Sequence, residues 1–402
     1  MNNFKNQNTL TPFESEKILE ALRKGVVPMD HLQRFSVGRK FWLDSIKSDL
    51  DFVCQGASKV RFLSAPYGGG KTHFLSLVKE KAFKSNYVVS YVELHSREAP
   101  LDRFEIIFPK IMRGIIASKD KNGLEYIFET WINSFHLYSQ DEIQKYLRDV
   151  APSLDFRAAL RSYLDFAGTE SPECQEYMRA ILGWLGGSKL PSQLILKTGI
   201  RNPISISNVS EIMGSFLRFI RSIGFSGLVL LLDEAEAITS LTQSRKRAEA
   251  NQNIRKILDN TDHYLGLYTI FATTPQFMED PIKGARSYPA LWERIKDVIN
   301  LNLQHLSQRS IIIPLPSLKE EELKKLGETI IEIHGKAYGW EANKRFPEKA
   351  KNNYIQLFQL RSKQKLTRHF IRVLVALLDN LEQMSDKIDL DKEIQSITFK
   401  EQ

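Results

Sequence analysis

Few features of these 402 residues point outside the cell or into a membrane. Two cysteines, Cys54 and Cys174, are too few for a disulfide framework or a metal cluster. Both read as packing residues in a reducing cytoplasm. No run approaches the roughly 18 apolar residues of a membrane span, and Met1-Asn2-Asn3-Phe4-Lys5 lacks the apolar core of a secretory signal. The eight histidines, His73 and His95 among them, show no metal-ligand spacing and read as structural. Neither an internal repeat nor a low-complexity tract interrupts the chain. What remains is a 42% hydrophobic composition on a chain long enough for two or three domains with a large core.

Against that background, Ser64-Ala65-Pro66-Tyr67-Gly68-Gly69-Gly70-Lys71-Thr72 stands out, lying between a strand-like and a helix-like segment. It reads as a phosphate-binding loop. Glycines let successive backbone N–H groups turn toward one anion, and the following helix adds its positive N-terminal end. Lys71 supplies a point charge for the β- and γ-phosphates, and Thr72 offers a hydroxyl to Mg²⁺. Ala65 occupies the place of the first glycine of the strict motif, where a small residue matters more than a positive φ. The alternative is a glycine-rich turn with a chance Lys-Thr.

The complementary motif is Gly227-Leu228-Val229-Leu230-Leu231-Leu232-Asp233-Glu234-Ala235-Glu236. Five consecutive aliphatics suit a parallel strand buried on both faces, whose C-terminal edge is where an open α/β sheet binds ligands. Asp233 would hold Mg²⁺ and Glu234 would polarise the water that attacks the γ-phosphate. A plain strand end with solvated acids is the competing reading.

Periodicity predicts a helix over 11–25, a loop after Pro28, a helix from about 40 to 55, a strand over 59–64 and a helix over 72–84. A second strand follows at 87–94. A helical pattern then runs to about Gly224, followed by strands near 227–233 and 265–274 and an apolar strand over 310–315. Beyond Pro316 only helical patterns occur, at 318–338, 349–360 and 367–381. The expected fold is α/β: a parallel sheet of about five strands flanked by helices, with the two nucleotide motifs at neighbouring strand ends. Residues 1–316 would form the core, with an N-terminal helical segment and an all-helical insertion over about 100–205 that carries partner specificity. Residues 317–402 would form a C-terminal helical lid.

Two further segments fit this scheme. The strand ending in Thr273-Thr274-Pro275 would place a polar side chain to sense the γ-phosphate, Thr274 first and Thr273 second, unless the pair simply caps a turn. In Lys365-Leu366-Thr367-Arg368, a helix opening at Thr367 places Arg368 in its first turn. There a cation opposes the helix dipole and so favours an anionic partner. The net charge of +8 is concentrated between Glu341 and Arg372, where nine Lys/Arg face two acids, an excess of seven. This stretch would contact DNA through phosphates or serve as a solvated face of the lid.

Taken together, these residues resemble an AAA+ ATPase of the branch that includes origin-recognition and Cdc6-type proteins. More narrowly, Ile18-Leu19-Glu20-Ala21-Leu22-Arg23-Lys24-Gly25-Val26-Val27-Pro28, Phe35-Ser36-Val37-Gly38-Arg39, the phosphate loop, Gly183-Trp184-Leu185-Gly186-Gly187 and the Asp233-Glu234 strand resemble the ATP-binding proteins of bacterial BREX phage-defence systems. The similarity covers most of the chain. Gly69 replaces a serine usual in that loop, and the proline usual between Thr367 and Arg368 is missing, which leaves the register of Arg368 open.

The resemblance implies a P-loop NTPase fold of the AAA+ kind, ATP and Mg²⁺ as cofactors, and nucleotide contacts from residues 65–73, His73 included. It further implies Gly38 and Arg39 near the adenine or ribose, and Arg294 as an arginine finger offered to a neighbouring subunit of a homo-oligomer. The expected function is an ATP-hydrolysing cytoplasmic switch in antiviral defence, working with a helicase or other defence proteins on DNA. A nucleotide-gated scaffold with little turnover is the non-catalytic alternative, although Glu234 speaks for hydrolysis. Replication initiation or plasmid maintenance is the third. Only about twenty residues follow Leu381, too few for the winged-helix domain that initiators of that branch carry.

Overall fold

The aliphatic runs of the sequence become strands: β1 (Lys59–Ser64), β2 (Val88–Glu93), β3 (Ile115–Ser118), β4 (Lys121–Asn122), β5 (Leu228–Asp233), β6 (Leu267–Thr273) and β7 (Ile312–Pro314). The structure, a computed structural model, describes residues 10–118, 121–135, 139–169, 171–260, 262–296, 307–384 and 389–399. Among these the strands form one sheet in the order β4-β3-β2-β5-β6-β1-β7. Parallel ladders join β2 to β5, β5 to β6 and β6 to β1. Among the described residues, no helix is long and apolar enough to cross a membrane.

Two sequence expectations are corrected here. The strands that precede the phosphate loop and the acid pair are not neighbours, because β6 lies between β1 and β5. Every residue of β5 and of β6 is buried, whereas β1 begins half-exposed. Two fully buried strands belong together in the sheet interior, and chain order does not override that. The stretch 100–205 is also not helical throughout, since β3 and β4 add an antiparallel edge to β2. Ile115–Ser118 alternates buried and half-buried positions, but four residues between helices are too few for the period to stand out. The remaining elements of that stretch are helices, including Phe104–Arg113, Gln140–Val150 and Leu154–Ala167. Ser139 and Glu142 form a capping box at the start of the second of these.

The chain divides into two compact units. One comprises Met1–Leu43, Ala65–Leu77 and Pro314–Gln402. Its core joins Ile18, Leu19 and Leu22 of the Pro12–Arg23 helix to Leu326 and Ile330 of the Glu320–Tyr338 helix and to Phe370 and Leu374 of the Thr367–Gln383 helix. Thr11 and Glu14 cap the first helix reciprocally and Pro12 opens it.

The other unit comprises Asp44–Ser64 and Val78–Ile313. Phe62 on β1 pairs with Phe271 on β6, and the rings stack at 5.3 Å between centroids. Beside them lies a polar cluster with no exposed member. Asp49 accepts from Arg61 Nε at 2.8 Å and Nη2 at 2.9 Å, and from the Tyr268 hydroxyl at 2.8 Å. Burial, then the adjacent Asp49 carboxylate, keeps the Tyr268 phenol protonated well past its usual range.

Candidate functional site

In the first unit, the loop and the opening turns of the helix Lys71–Lys84 adopt the geometry an anion cradle requires. Gly68 and Gly70 have φ of 75° and 93°, the left-handed region where a side chain is strained. Gly69 is held differently: a Cβ there would meet the Pro66 carbonyl oxygen at 3.0 Å and the Ala65 Cβ at 3.2 Å. Ala65 itself is buried, which accounts for the small residue at that place. The helix starts at Lys71, and Phe74 N–H donates to the Gly70 carbonyl at 2.9 Å. Lys71 is buried, with Nζ donating to the Ala65 carbonyl at 3.2 Å and lying 4.7 Å from the Tyr67 ring centroid. Thr72 is exposed beside it. The ring of His73 reaches the Leu32 carbonyl oxygen, 3.3 Å from Nε2.

Arg39 and Arg368 both come to this loop within the same unit. Arg39 is 5% exposed, donates Nη1 to the Pro316 carbonyl at 3.2 Å, and places Nη2 3.9 Å from where a Cβ on Gly70 would stand. Its pKa is lowered, chiefly by burial, with Glu322 acting in the opposite sense. Gly38 has φ 70°, where a side chain is strained, and a Cβ there would lie 2.6 Å from a Glu322 carboxylate oxygen, which would have to swing aside. The helix Thr367–Gln383 opens one residue before Arg368. Arg368 N–H donates to the Gly68 carbonyl, and its stem passes 3.1 Å from where a Cβ on Gly25 would be. Arg368 is exposed, and its guanidinium has no partner among the described residues.

In the second unit, Asp233 ends β5 at 3% exposure. Its Oδ1 accepts from the Glu234 N–H at 2.9 Å, and its Oδ2 accepts from the Tyr91 hydroxyl at 2.8 Å. Burial, followed by the Asp233 charge, raises the Tyr91 pKa far above its ordinary value, so the phenol remains a donor. Glu234 is exposed and left-handed, with φ 57° and ψ 42°. A non-glycine residue in that region is uncommon, and such strain gathers at functional positions.

Of the two threonines at the end of β6, Thr274 caps the short helix Pro275–Glu279, its hydroxyl accepting from Phe277 N–H at 3.3 Å. Its hydroxyl proton remains available to donate. Thr273 pairs with Ser64 of β1, is fully buried, and its Oγ1 has no partner among the described residues. Arg294 pairs with Asp259 at 2.5 Å and also donates to the Ala290 carbonyl.

Thr72 in the first unit offers a hydroxyl oxygen and Asp233 in the second a carboxylate oxygen, each of a kind that Mg²⁺ accepts as a ligand. No group of three or more His, Cys, Asp or Glu able to hold a metal occurs among the described residues. Tyr91 escaped the sequence reading. Its only signal was an alternating strand, and the hydroxyl gains meaning only from the pairing of β2 with β5.

No curated protein is similar enough to the chain to match it. A family model described as BREX system ATP-binding protein BrxC/D matches residues 10–397, so the chain, with its glycine loop, Lys71 and Asp233-Glu234 pair, belongs to that family of phage-defence ATP-binding proteins.

Proposed function

We propose that this protein hydrolyses ATP with Mg²⁺ and acts as a nucleotide-controlled switch in BREX defence. Lys71 and the N–H groups of residues 68–72 hold the phosphates, Thr72 and Asp233 serve Mg²⁺, and Glu234 activates water. Thr274 or Thr273 senses the γ-phosphate, and Arg368, on the helical lid formed by residues 317–402, reports nucleotide occupancy. Gly38 and Arg39 line the nucleotide. The nearness of Arg39 to Gly70 supports a phosphate contact over the adenine or ribose contact first expected. Arg294 acts in trans only if a neighbouring subunit competes successfully with Asp259. The switch works in the cytoplasm and is read out by a helicase, another defence protein or DNA.

The observation that carries hydrolysis is Glu234, an exposed carboxylate held in a strained backbone directly after a buried, hydrogen-bonded aspartate. A pure binder has no need of such an acid.

The test compares three proteins. Lys71→Ala should lose ATP affinity by roughly tenfold to a hundredfold, the worth of a charged hydrogen bond. Glu234→Gln should bind ATP as wild type does while turnover falls by orders of magnitude. A wild type that binds ATP but shows no turnover, with or without DNA and partners, would instead establish the scaffold reading.

A further inference from the structure

The side chain of Tyr91 performs a task that the nucleotide motifs leave open. Tyr91 pairs in register with Leu231, two residues before Asp233, while Glu93 pairs with Asp233 itself. Residues two apart on a strand share a face, so Tyr91, Glu93 and Asp233 lie on one side of the sheet, with Tyr91 the diagonal neighbour of Asp233. A tyrosine is long enough to span that diagonal, and its hydroxyl meets Asp233 Oδ2 at 2.8 Å. The directly opposed pair, Glu93 and Asp233, consists of like charges, which repel. Two donors hold the Asp233 carboxylate, the Glu234 N–H at Oδ1 and the Tyr91 hydroxyl at Oδ2.

We infer that Tyr91 is a positioning residue that fixes the Asp233 carboxylate in the orientation needed to receive the hydrated Mg²⁺ of the nucleotide complex. The inference rests on the reading of Asp233 as the Mg²⁺ acid. Tyr91 touches neither metal nor nucleotide and acts only through Asp233. Partners of this kind, one bond removed from a metal ligand, typically contribute tenfold to a hundredfold in metal affinity.

The experiment measures binding, not turnover. A fluorescent ATP analogue is titrated into wild type, Tyr91→Phe, Asp233→Asn and the double variant, first in EDTA and then across a Mg²⁺ series. Tyr91→Phe keeps the ring and its packing and removes one hydrogen bond, so nucleotide affinity in EDTA should match wild type while the melting temperature falls only slightly. Its half-saturating Mg²⁺ concentration should rise by about tenfold. Asp233→Asn should raise it at least as far, and the double variant no further than Asp233→Asn alone, since Tyr91 has nothing left to position. If Asp233→Asn shifts the Mg²⁺ dependence and Tyr91→Phe does not, Tyr91 is a packing residue and the inference fails while the metal reading stands. An additive effect in the double variant would also overturn it, because Tyr91 would then act independently of Asp233. If Asp233→Asn itself causes no shift, the metal reading falls and takes this inference with it.

Discussion

The backbone N–H of Arg368 donates to the carbonyl oxygen of Gly68 at 3.4 Å, and the Arg368 Cβ lies 3.4 Å from where a Cβ on Gly68 would stand. Gly68 therefore meets two demands, and their magnitudes differ. A contact of 3.4 Å is ordinary packing, so a methyl group there is tolerated by Arg368. The φ of 75° is not, since an alanine in the left-handed region costs about 1–2 kcal/mol. We expect Gly68→Ala to lower unfolding stability by about that amount and to weaken ATP binding by turning the loop N–H groups. Calorimetry with ATP and a urea titration measure the two effects separately. A destabilised protein with unchanged ATP affinity would mean that the loop backbone is not what the phosphates touch.

Much of this arrangement is legible in the sequence because it rests on local rules. A five-aliphatic run ending in Asp-Glu reads as a strand buried on both faces, and β5 spans Leu228–Asp233. Glycines at 68 and 70 anticipate left-handed backbone, and the helix that begins at Thr367 follows from its apolar period. What stays hidden depends on pairing between distant segments. The insertion of β6 between β1 and β5, the β3–β4 edge and the reach of Tyr91 to Asp233 are all set by which strands meet, and periodicity carries no record of partners. Arg39 is a similar case. The resemblance places Arg39 near the nucleotide, but nothing in Val-Gly-Arg-Lys announces that its guanidinium is 5% exposed beside Gly70.

The Asp49–Arg61–Tyr268 cluster makes a second prediction, this time on stability. Asp49 and Arg61 are 2% and 1% exposed at their side chains, and Arg61 also donates to the Gln308 carbonyl at 2.7 Å. Removing one partner of a buried, hydrogen-bonded pair leaves the other charged without compensation, at a cost of about 3–5 kcal/mol. Asp49→Asn should therefore lower the unfolding free energy by that order, and chemical denaturation measures it. Replacing the cluster together, Asp49→Leu with Arg61→Met and Tyr268→Phe, should cost less than the single change. If the single change is nearly neutral, the cluster does not hold the unit together.

Acid should weaken the first unit at a predictable point. His334 is fully buried, with Nδ1 accepting from Trp340 Nε1 at 2.9 Å and Nε2 facing Asp379 Oδ1 at 2.9 Å. This arrangement fixes the neutral tautomer with its proton on Nε2, because a proton on Nδ1 would confront the indole N–H. Burial chiefly lowers the His334 pKa, Arg23 acts in the same sense, and Asp379 and Glu382 oppose. The unfolded chain then binds a proton that the folded chain refuses. Stability is full above the unfolded value near 6.5 and is lost as pH falls below it, until the folded pKa is passed. Asp379 adds a separate, more acidic step. Its pKa is lowered because hydrogen bonds from Arg23 and His334 outweigh the opposing effect of burial, so its contribution is present above about 3.8 and lost as pH drops further. Melting temperatures between pH 7.5 and 5 should decline, and His334→Asn should flatten that decline. An unchanged slope in the variant would place the proton uptake elsewhere.

The basic stretch between Glu341 and Arg372 is where direct DNA contact by this chain is expected first. Several of its cations already have acidic neighbours: Lys344 lies 2.6 Å from Glu341, Lys349 3.4 Å from Asp391, and Lys351 3.9 Å from Glu348. The first two pairs are highly exposed, with lysine side chains at 74% and 78%. Exposed pairs contribute little and are screened by salt, so a phosphate can replace the carboxylate at small cost. DNA contact here should be independent of sequence and should weaken steeply with salt, each phosphate contact adding about 0.9 to the logarithmic slope. Changing Lys344, Arg345, Lys349 and Lys351 to Glu should lower that slope by roughly three to four if all four touch phosphate. ATP affinity should not change, since none of the four belongs to the phosphate loop or the acid pair. Fluorescence anisotropy with a labelled duplex across a salt series reads the slope. Equal slopes for wild type and variant would make this stretch a solvated face and move the search for DNA contact to the helices of residues 100–205 or to a partner protein.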